Sequence, residues 1–419
     1  MADRIYWIWL QEALGIGNVK ADRVIREIGS PEALYRMSAR ELSATGIFAP
    51  KEIEKIKATT LEHAKENLLR AKKHQCAVIT PDHPDYPSNL TNIDCMPCVL
   101  YVRGDLSGID GELVITMVGT RESDQYGETC AAKLSYDLAV AGCTIASGLA
   151  VGIDCACHEG ALRAQGRTIG LLACGMDIDY PQASHGLKRS ILENGGVLIS
   201  EFPFGEAPRR YNFHIRNRLL SGIASGVVVV QAPEQSGALI TANHALRQNR
   251  DVFAVPGGIF DAKMTGCNRL IKDGAKIVVN VYSILEEYIN KFPEKMDPKS
   301  IVRRLRAVSA PMQTQQVNFP RKIARPAGSG REEFLMVAQE AAAPVKRIVK
   351  AELDARAVSM PAQRIYELLG REPADGDWIV GRTGFSAMEC MVALTELELQ
   401  DLVKVLPGKR YVIREPESD

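Results

Sequence analysis

The sequence has no excess of charge of either sign: 51 lysines and arginines stand against 51 aspartates and glutamates. With no field over the whole molecule, a polyanion must be held by a local patch. Long apolar runs are also missing. Nothing approaches the roughly 18 consecutive apolar residues of a membrane span, so no membrane partner is expected. The opening stretch Met1–Lys20 has too short an apolar run for a secretory leader and no small-residue cleavage site. The ten cysteines are irregularly spaced, which excludes a secreted disulfide framework and places the chain in a reducing cytoplasm. Cys95-Met96-Pro97-Cys98 is a lone CxxC, and Cys155-Ala156-Cys157-His158 is crowded at a helix start, so no metal site is expected. No GxGxxG follows the first core strand, against NAD or FAD, and no GxxxxGK[ST] occurs, against a P-loop ATPase. No cofactor and no catalytic residue is expected.

What is present organises into four pieces. Hydrophobic residues make up 46% of 419, enough for two or three domains with real cores. Residues 1–73 read as helical, with apolar positions at helical spacing through Ile5, Ile8, Trp9 and then Val24, Ile25, Ile28. Between them, Leu14-Gly15-Ile16-Gly17-Asn18 has the pattern of a helix-hairpin-helix (SAM-like) turn, whose glycines let backbone amides approach a phosphate. The same residues equally suit a tight turn in a small bundle. Residues 74–290 alternate short β-branched runs with amphipathic stretches, the mark of a parallel α/β sheet. The runs are Leu113–Val118, Thr144–Ser147, Thr168–Ala173, Val197–Ser200, Val227–Gln231, Val252–Val255 and Lys276–Val279. Residues 291–358 form a Pro-rich linker, with nine basic residues against two acidic ones over 291–330 and a possible helix over 331–359. Residues 359–419 read as a winged helix, from a helix around Ile365–Leu369, a helix-turn-helix over Ile379–Thr383 and Ser386–Leu399, and a hairpin of Val403–Leu406 and Arg410–Ile413 about Pro407-Gly408.

Chemistry concentrates where strands end. Val118-Gly119-Thr120-Arg121 follows one buried run, and Ser147-Gly148-Leu149-Ala150-Val151-Gly152-Ile153-Asp154 the next. Ser236-Gly237 with Thr241, Pro256-Gly257-Gly258 and Gly266-Cys267-Asn268 come later. In a doubly wound sheet, ligands lie outside the carboxyl ends of strands, where glycine permits close approach and helix N-termini offer free N–H groups. Several such loops in one sheet indicate an extended anionic ligand. The strip Arg209-Arg210-Tyr211-Asn212-Phe213 interleaves basic and aromatic residues, which suits a single strand with unstacked bases.

In order and spacing these motifs are similar to the signature of the DNA-processing protein A (DprA/Smf) family. They continue through Gly166-Arg167-Thr168-Ile169, Gly175-Met176-Asp177, Tyr180-Pro181, Ile199-Ser200-Glu201, Arg216-Asn217-Arg218-Leu219, Arg250–Gly257 and Gly266–Ile271. The resemblance covers about 200 residues. It implies an extended Rossmann-like α/β core that binds single-stranded DNA, dimerises, and helps place the recombinase RecA on incoming DNA during natural transformation. It points to Gly119, Thr120, Arg121, Ser147, Gly148, Gly152, Arg209, Arg210, Phe213, Arg216, Asn217, Arg218, Ser236, Gly237, Thr241 and Gly257 as DNA-binding residues.

Each has a plainer reading. Arg121 suits a phosphate or a surface carboxylate; Arg216 and Arg218 suit the DNA backbone or buried acids such as Glu201; Phe213 suits a base or the core. Asp154 and His158, four apart at a helix start, form an acid–base pair or a structural one, the structural role being favoured. The chain departs from the family pattern at Val151 and Ile215, where basic residues are frequent, at His214, where proline is usual, and at Gln231, where glutamate is usual. The winged helix departs in charge. Ser386–Leu399 has no lysine or arginine, and residues 361–419 hold seven basic and eleven acidic residues. That is wrong for phosphate contact and implies a protein partner or packing on the chain itself. Two other functions compete. Pro256-Gly257-Gly258 resembles a loop of lysine-decarboxylase-like phosphoribohydrolases, but the chain continues Ile259-Phe260-Asp261 and lacks their Gly-Thr and glutamate. A protein scaffold is the other.

Overall fold

The computed structural model describes residues 2–292, 301, 304–305, 359–369, 374–383, 385, 387–400, 402–406 and 410–414. The possible helix over 331–358, most of the basic linker and the turn Pro407-Gly408 lie outside these residues. Two compact units result, Met1–Thr314 and Gln315–Asp419.

In the first unit, six helices precede the sheet: α1 (Ala2–Leu14), α2 (Ala21–Ile28), α3 (Pro31–Arg36), α4 (Ala39–Ala44), α5 (Pro50–Ala58) and α6 (Glu62–Lys73). Helix α1 buries Trp7, Ile8, Trp9 and Leu10, and packs on α3 and α6. The Trp9 indole N–H, buried on an apolar helix, needs an acceptor and donates to the Thr59 carbonyl at 2.9 Å. Ser30 caps α3, and a reciprocal Ser38–Glu41 box caps α4, so these short helices start where the sequence supplies side-chain acceptors.

The core is a nine-stranded sheet. Its elements in order are β1 (Ala77–Ile79), β2 (Leu100–Arg103), β3 (Val114–Val118), α7 (Gln125–Ala141), β4 (Thr144–Ser147), α8 (Ile153–Arg163), β5 (Thr168–Leu172), α9 (His185–Glu193), β6 (Val197–Ser200), α10 (Arg210–Gly222), β7 (Gly226–Val229), α11 (Gly237–Arg247), β8 (Asp251–Ala254), α12 (Thr265–Lys272), β9 (Lys276–Ile277) and α13 (Tyr282–Leu285). Strand order is β1-β2-β6-β5-β4-β3-β7-β8-β9. The seven strands from β6 to β9 are parallel and match the seven β-branched runs. All five residues of β3 are buried, as a strand with both faces covered requires. Strands β1 and β2 extend the sheet antiparallel beyond β6 and were not anticipated. The strand order reverses between β3 and β7, so the crevice expected to hold a ligand opens at their carboxyl ends.

The second unit has the winged-helix elements. Helices Met360–Leu368, Gly376–Thr383 and Ala387–Leu399 pack around Ile365, Tyr366, Leu394 and Leu397. The hairpin Val403–Leu406/Arg410–Ile413 gains a third strand, Ala374–Asp375, too short to show as a run in the sequence.

Candidate nucleic-acid interface

The loops after β3 and β4 are built into one another. Thr120 N–H donates to the Gln231 carbonyl at 2.7 Å, and Ile153 N–H to the Thr120 carbonyl at 3.3 Å. A side chain at Gly119 would lie 2.5 Å from Ile153, and one at Gly152, where φ is +84°, 2.6 Å from the Thr120 carbonyl. These glycines therefore serve close packing of two loops as well as any ligand. Between them, buried Leu149 holds a left-handed φ of +58°, a costly conformation for a branched residue.

This platform presents Arg121. Its side chain is exposed, and its guanidinium carbon sits 4.7 Å from the centroid of the half-buried Phe213 ring. Phe213 meets exposed Tyr180 edge-on at 5.9 Å. A cation over one aromatic face with a second aromatic beside it is chemistry that grips a phosphate and stacks a base. Arg209 and Arg210 are exposed at the start of α10, a helix with no acid in its first turn and no side-chain cap. Positive residues at a positive dipole end are mutually unfavourable, and the Glu206 carboxylate, 3.6 Å from Arg209 Nε, offsets part of this.

The other arginines of the motif do not reach this surface. Arg216 is 3% exposed; its Nη1 donates to the Leu171 carbonyl at 2.7 Å, and a side chain at Gly148 would collide with it. Its counter-charge is buried Asp154. Burial lowers the Arg216 pKa to about 10, with Asp154 opposing and Arg121 adding to the shift, so it stays charged at neutral pH. Burial likewise raises the Asp154 carboxyl, and Arg216 opposes this. Arg218 is 4% exposed and donates through Nη2 to both Glu201 carboxylate oxygens at 2.6 and 2.7 Å. Of the alternatives for Arg218, the buried acid is the one it occupies. Asn217 donates to the Gly237 carbonyl at 3.3 Å, joining α10 to the start of α11. Ser147, Gly148 and Thr241 are buried too, whereas Ser236, Gly237 and Gly257 lie at the rim. Thus Arg216, Asn217, Arg218, Ser147, Gly148 and Thr241 support the face from beneath. They are not available as direct contacts in this conformation, because their polar groups lie inside the fold.

The Asp154–His158 pair has no catalytic geometry. His158 Nδ1 is 2.7 Å from Thr168 Oγ1, and burial pushes its pKa down to about 3, so the ring is neutral. The Gly15–Gly17 hairpin is packed at one of its glycines, while a side chain at Gly15 would meet open space. A side chain at Gly17 would lie 3.5 Å from Ile215, and Gln11 nearby donates to the Glu201 carbonyl at 3.0 Å. The contacts at Gly17 are those of a packed turn, and the open backbone at Gly15 leaves the phosphate reading standing beside it. Among the described residues no cluster of three or more His, Cys, Asp or Glu is arranged for a metal ion, and no helix is long and apolar enough to cross a membrane.

Residues 77–289 match the family model described as DNA recombination-mediator protein A, and residues 349–409 the model of the DprA winged helix domain. The chain belongs to the DNA recombination-mediator protein A family. A Smf protein of Synechocystis is 30% identical over 98% of both chains. Protein Smf of Escherichia coli is 35% identical over 67% of this chain and 74% of its own. The crystal structure of DNA processing protein A from Streptococcus pneumoniae superposes with a TM-score of 0.59 at 29% identity, covering 68% of this chain and 97% of that one. Within this DprA fold, the aromatic at Tyr180 was missed as a contact, although Tyr180-Pro181 was visible as a motif. Its partner Phe213 lies 33 positions away, and only the fold joins them.

Proposed function

We propose that this protein binds single-stranded DNA across the carboxyl ends of β3, β4 and β7, without reading sequence and without catalysing a reaction. The observation that carries the reading is the Arg121–Phe213 contact at 4.7 Å on a glycine-built platform. A phosphate binds Arg121, and a base stacks against Phe213 and Tyr180. Arg209 and Arg210 continue the track. Protection of incoming DNA and its delivery to the recombinase RecA rest on membership of the family. A homodimer through the core draws support from β9, an edge strand whose Ile277 is exposed together with the neighbouring Val279 and Tyr282, since an edge strand is a template for pairing.

The test is binding of a labelled oligonucleotide, single against double strand, across a salt series, for the wild type and for Arg121→Ala and Phe213→Ala. Preference for single strands is expected, with log K falling against log salt by about 0.7 per phosphate contact. Each substitution should weaken binding by ~1–3 kcal/mol, and Arg121→Ala alone should flatten the slope. Salt-insensitive binding, unchanged in both variants, would return the face to a scaffold role.

A further inference from the structure

The loop after β8 carries two apolar side chains into solvent: Ile259 is 81% exposed and Phe260 96%. Such exposure in a slack loop would mean little, but this loop is held. Gly257 exchanges hydrogen bonds with the Asn268 side chain, its N–H donating to Oδ1 and its carbonyl accepting from Nδ2, both at 3.2 Å. Asp261 N–H donates to the Gly258 carbonyl at 3.1 Å, and the Asp261 carboxylate accepts the Lys263 N–H at 2.9 Å, closing a turn with Phe260 at its tip. A side chain at Gly257 would collide with Met264, so the base of the loop is packed.

The loop is also tied to the DNA face. Tyr126, in the first turn of α7, donates its hydroxyl to the Pro256 carbonyl at 2.8 Å. Lys263 Nζ lies 3.9 Å from the carboxylate of Asp124, the residue that caps α7 just after Arg121. Strands β3 and β8 are separated only by β7, so their carboxyl ends are about 10 Å apart, roughly three stacked nucleotides. A solvent-exposed aromatic on a loop that carries a lysine and is held by an exposed tyrosine has the composition of a sequence-tolerant base platform.

We propose that Phe260, flanked by Ile259, is a second stacking platform for the same single strand, which runs from Phe213 past Arg121 and Tyr126 to the β8 loop. This rests on the DNA-binding reading above. The test uses Phe260→Ala, Phe260→Trp and Arg121→Ala with oligothymidylates of about 3 and about 20 nucleotides, lengths that span one platform or both. Phe260→Ala should weaken the longer oligomer roughly 5- to 100-fold and leave the shorter unchanged. The indole of Phe260→Trp should be quenched as the longer oligomer saturates. If Phe260→Ala binds both oligomers like wild type and the indole emission stays constant while Arg121→Ala fails to bind, the platform is refuted and the Arg121 site stands. If Arg121→Ala also binds normally, the parent reading falls with it. A change in sedimentation of Phe260→Ala with DNA affinity intact would assign the loop to a contact between copies and overturn the proposal.

Discussion

Arg121 and Arg216 both neighbour Phe213, yet one is a probe of solvent and the other a strut. The difference is burial. Arg216 passes under Gly148, where only glycine leaves room for a guanidinium, and its charge is set against Asp154. His158 is the third polar group of this interior. Its unfolded-state pKa is near 6.5 and its folded value about 3, so below pH 6.5 the unfolded chain takes up a proton that the fold refuses. Its contribution to stability is whole above pH 6.5 and is lost as pH falls toward 3, at up to about 1.4 kcal/mol per unit. Thermal melts should show the midpoint falling between pH 6.5 and 5, and His158→Gln should flatten that limb. An identical slope in the variant would mean another group sets the acid limit.

At the scale of elements, what could be read ahead was what burial writes into sequence. The seven parallel strands appear as β-branched runs because helices cover both sheet faces, and the loops at their ends appear as glycine motifs because two loops interlock there. Strands β1 and β2 escaped because neither is followed by an α-helix, so both fall outside the strand–helix alternation by which the other seven were read. The fates of Arg216, Arg218 and the Gly15–Gly17 hairpin escaped because each depends on a partner far along the chain. Ile215 shows this best: an apolar residue at a position often basic in the family makes sense only beside Gly17. Gln231 is similar. It is buried, its Nε2 donates to the Asp124 carboxylate at 2.9 Å, and its Oε1 accepts the Asp124 N–H at 3.2 Å. Gln231→Glu would set a second carboxylate against Asp124. At pH 7.5 the variant should lose about 1–3 kcal/mol in urea unfolding. The new acid's folded pKa is raised by its neighbour, so the loss should shrink as pH falls and the glutamate regains a proton to donate. A constant loss between pH 7.5 and 5 would show that shape, not charge, selects glutamine here.

The whole molecule is neutral, but its charge is divided. Residues 361–419 hold seven basic and eleven acidic residues, leaving 44 against 40 in the rest of the chain. In the winged-helix unit the helix Ala387–Leu399, which in a DNA reader would enter the groove, exposes Glu389, Val392 and Glu398. Glu396 is turned to the Ser359 side chain and backbone N–H, so its charge caps a helix instead of facing a ligand. A surface of acids around an apolar residue repels phosphates and suits a basic protein surface. The two units should therefore separate in function. A chain ending at residue 314 is expected to bind single-stranded DNA within twofold of the full chain, with the same salt slope, because the proposed phosphate contacts all lie in the first unit. Residues 359–419 alone, which carry the seven basic and eleven acidic residues, should show no DNA binding even at low salt, where electrostatic attraction is strongest. Measurable binding of duplex by that fragment, falling steeply with salt, would mean that cations outside its described helix face outweigh the acids, and would restore the winged helix as a DNA reader.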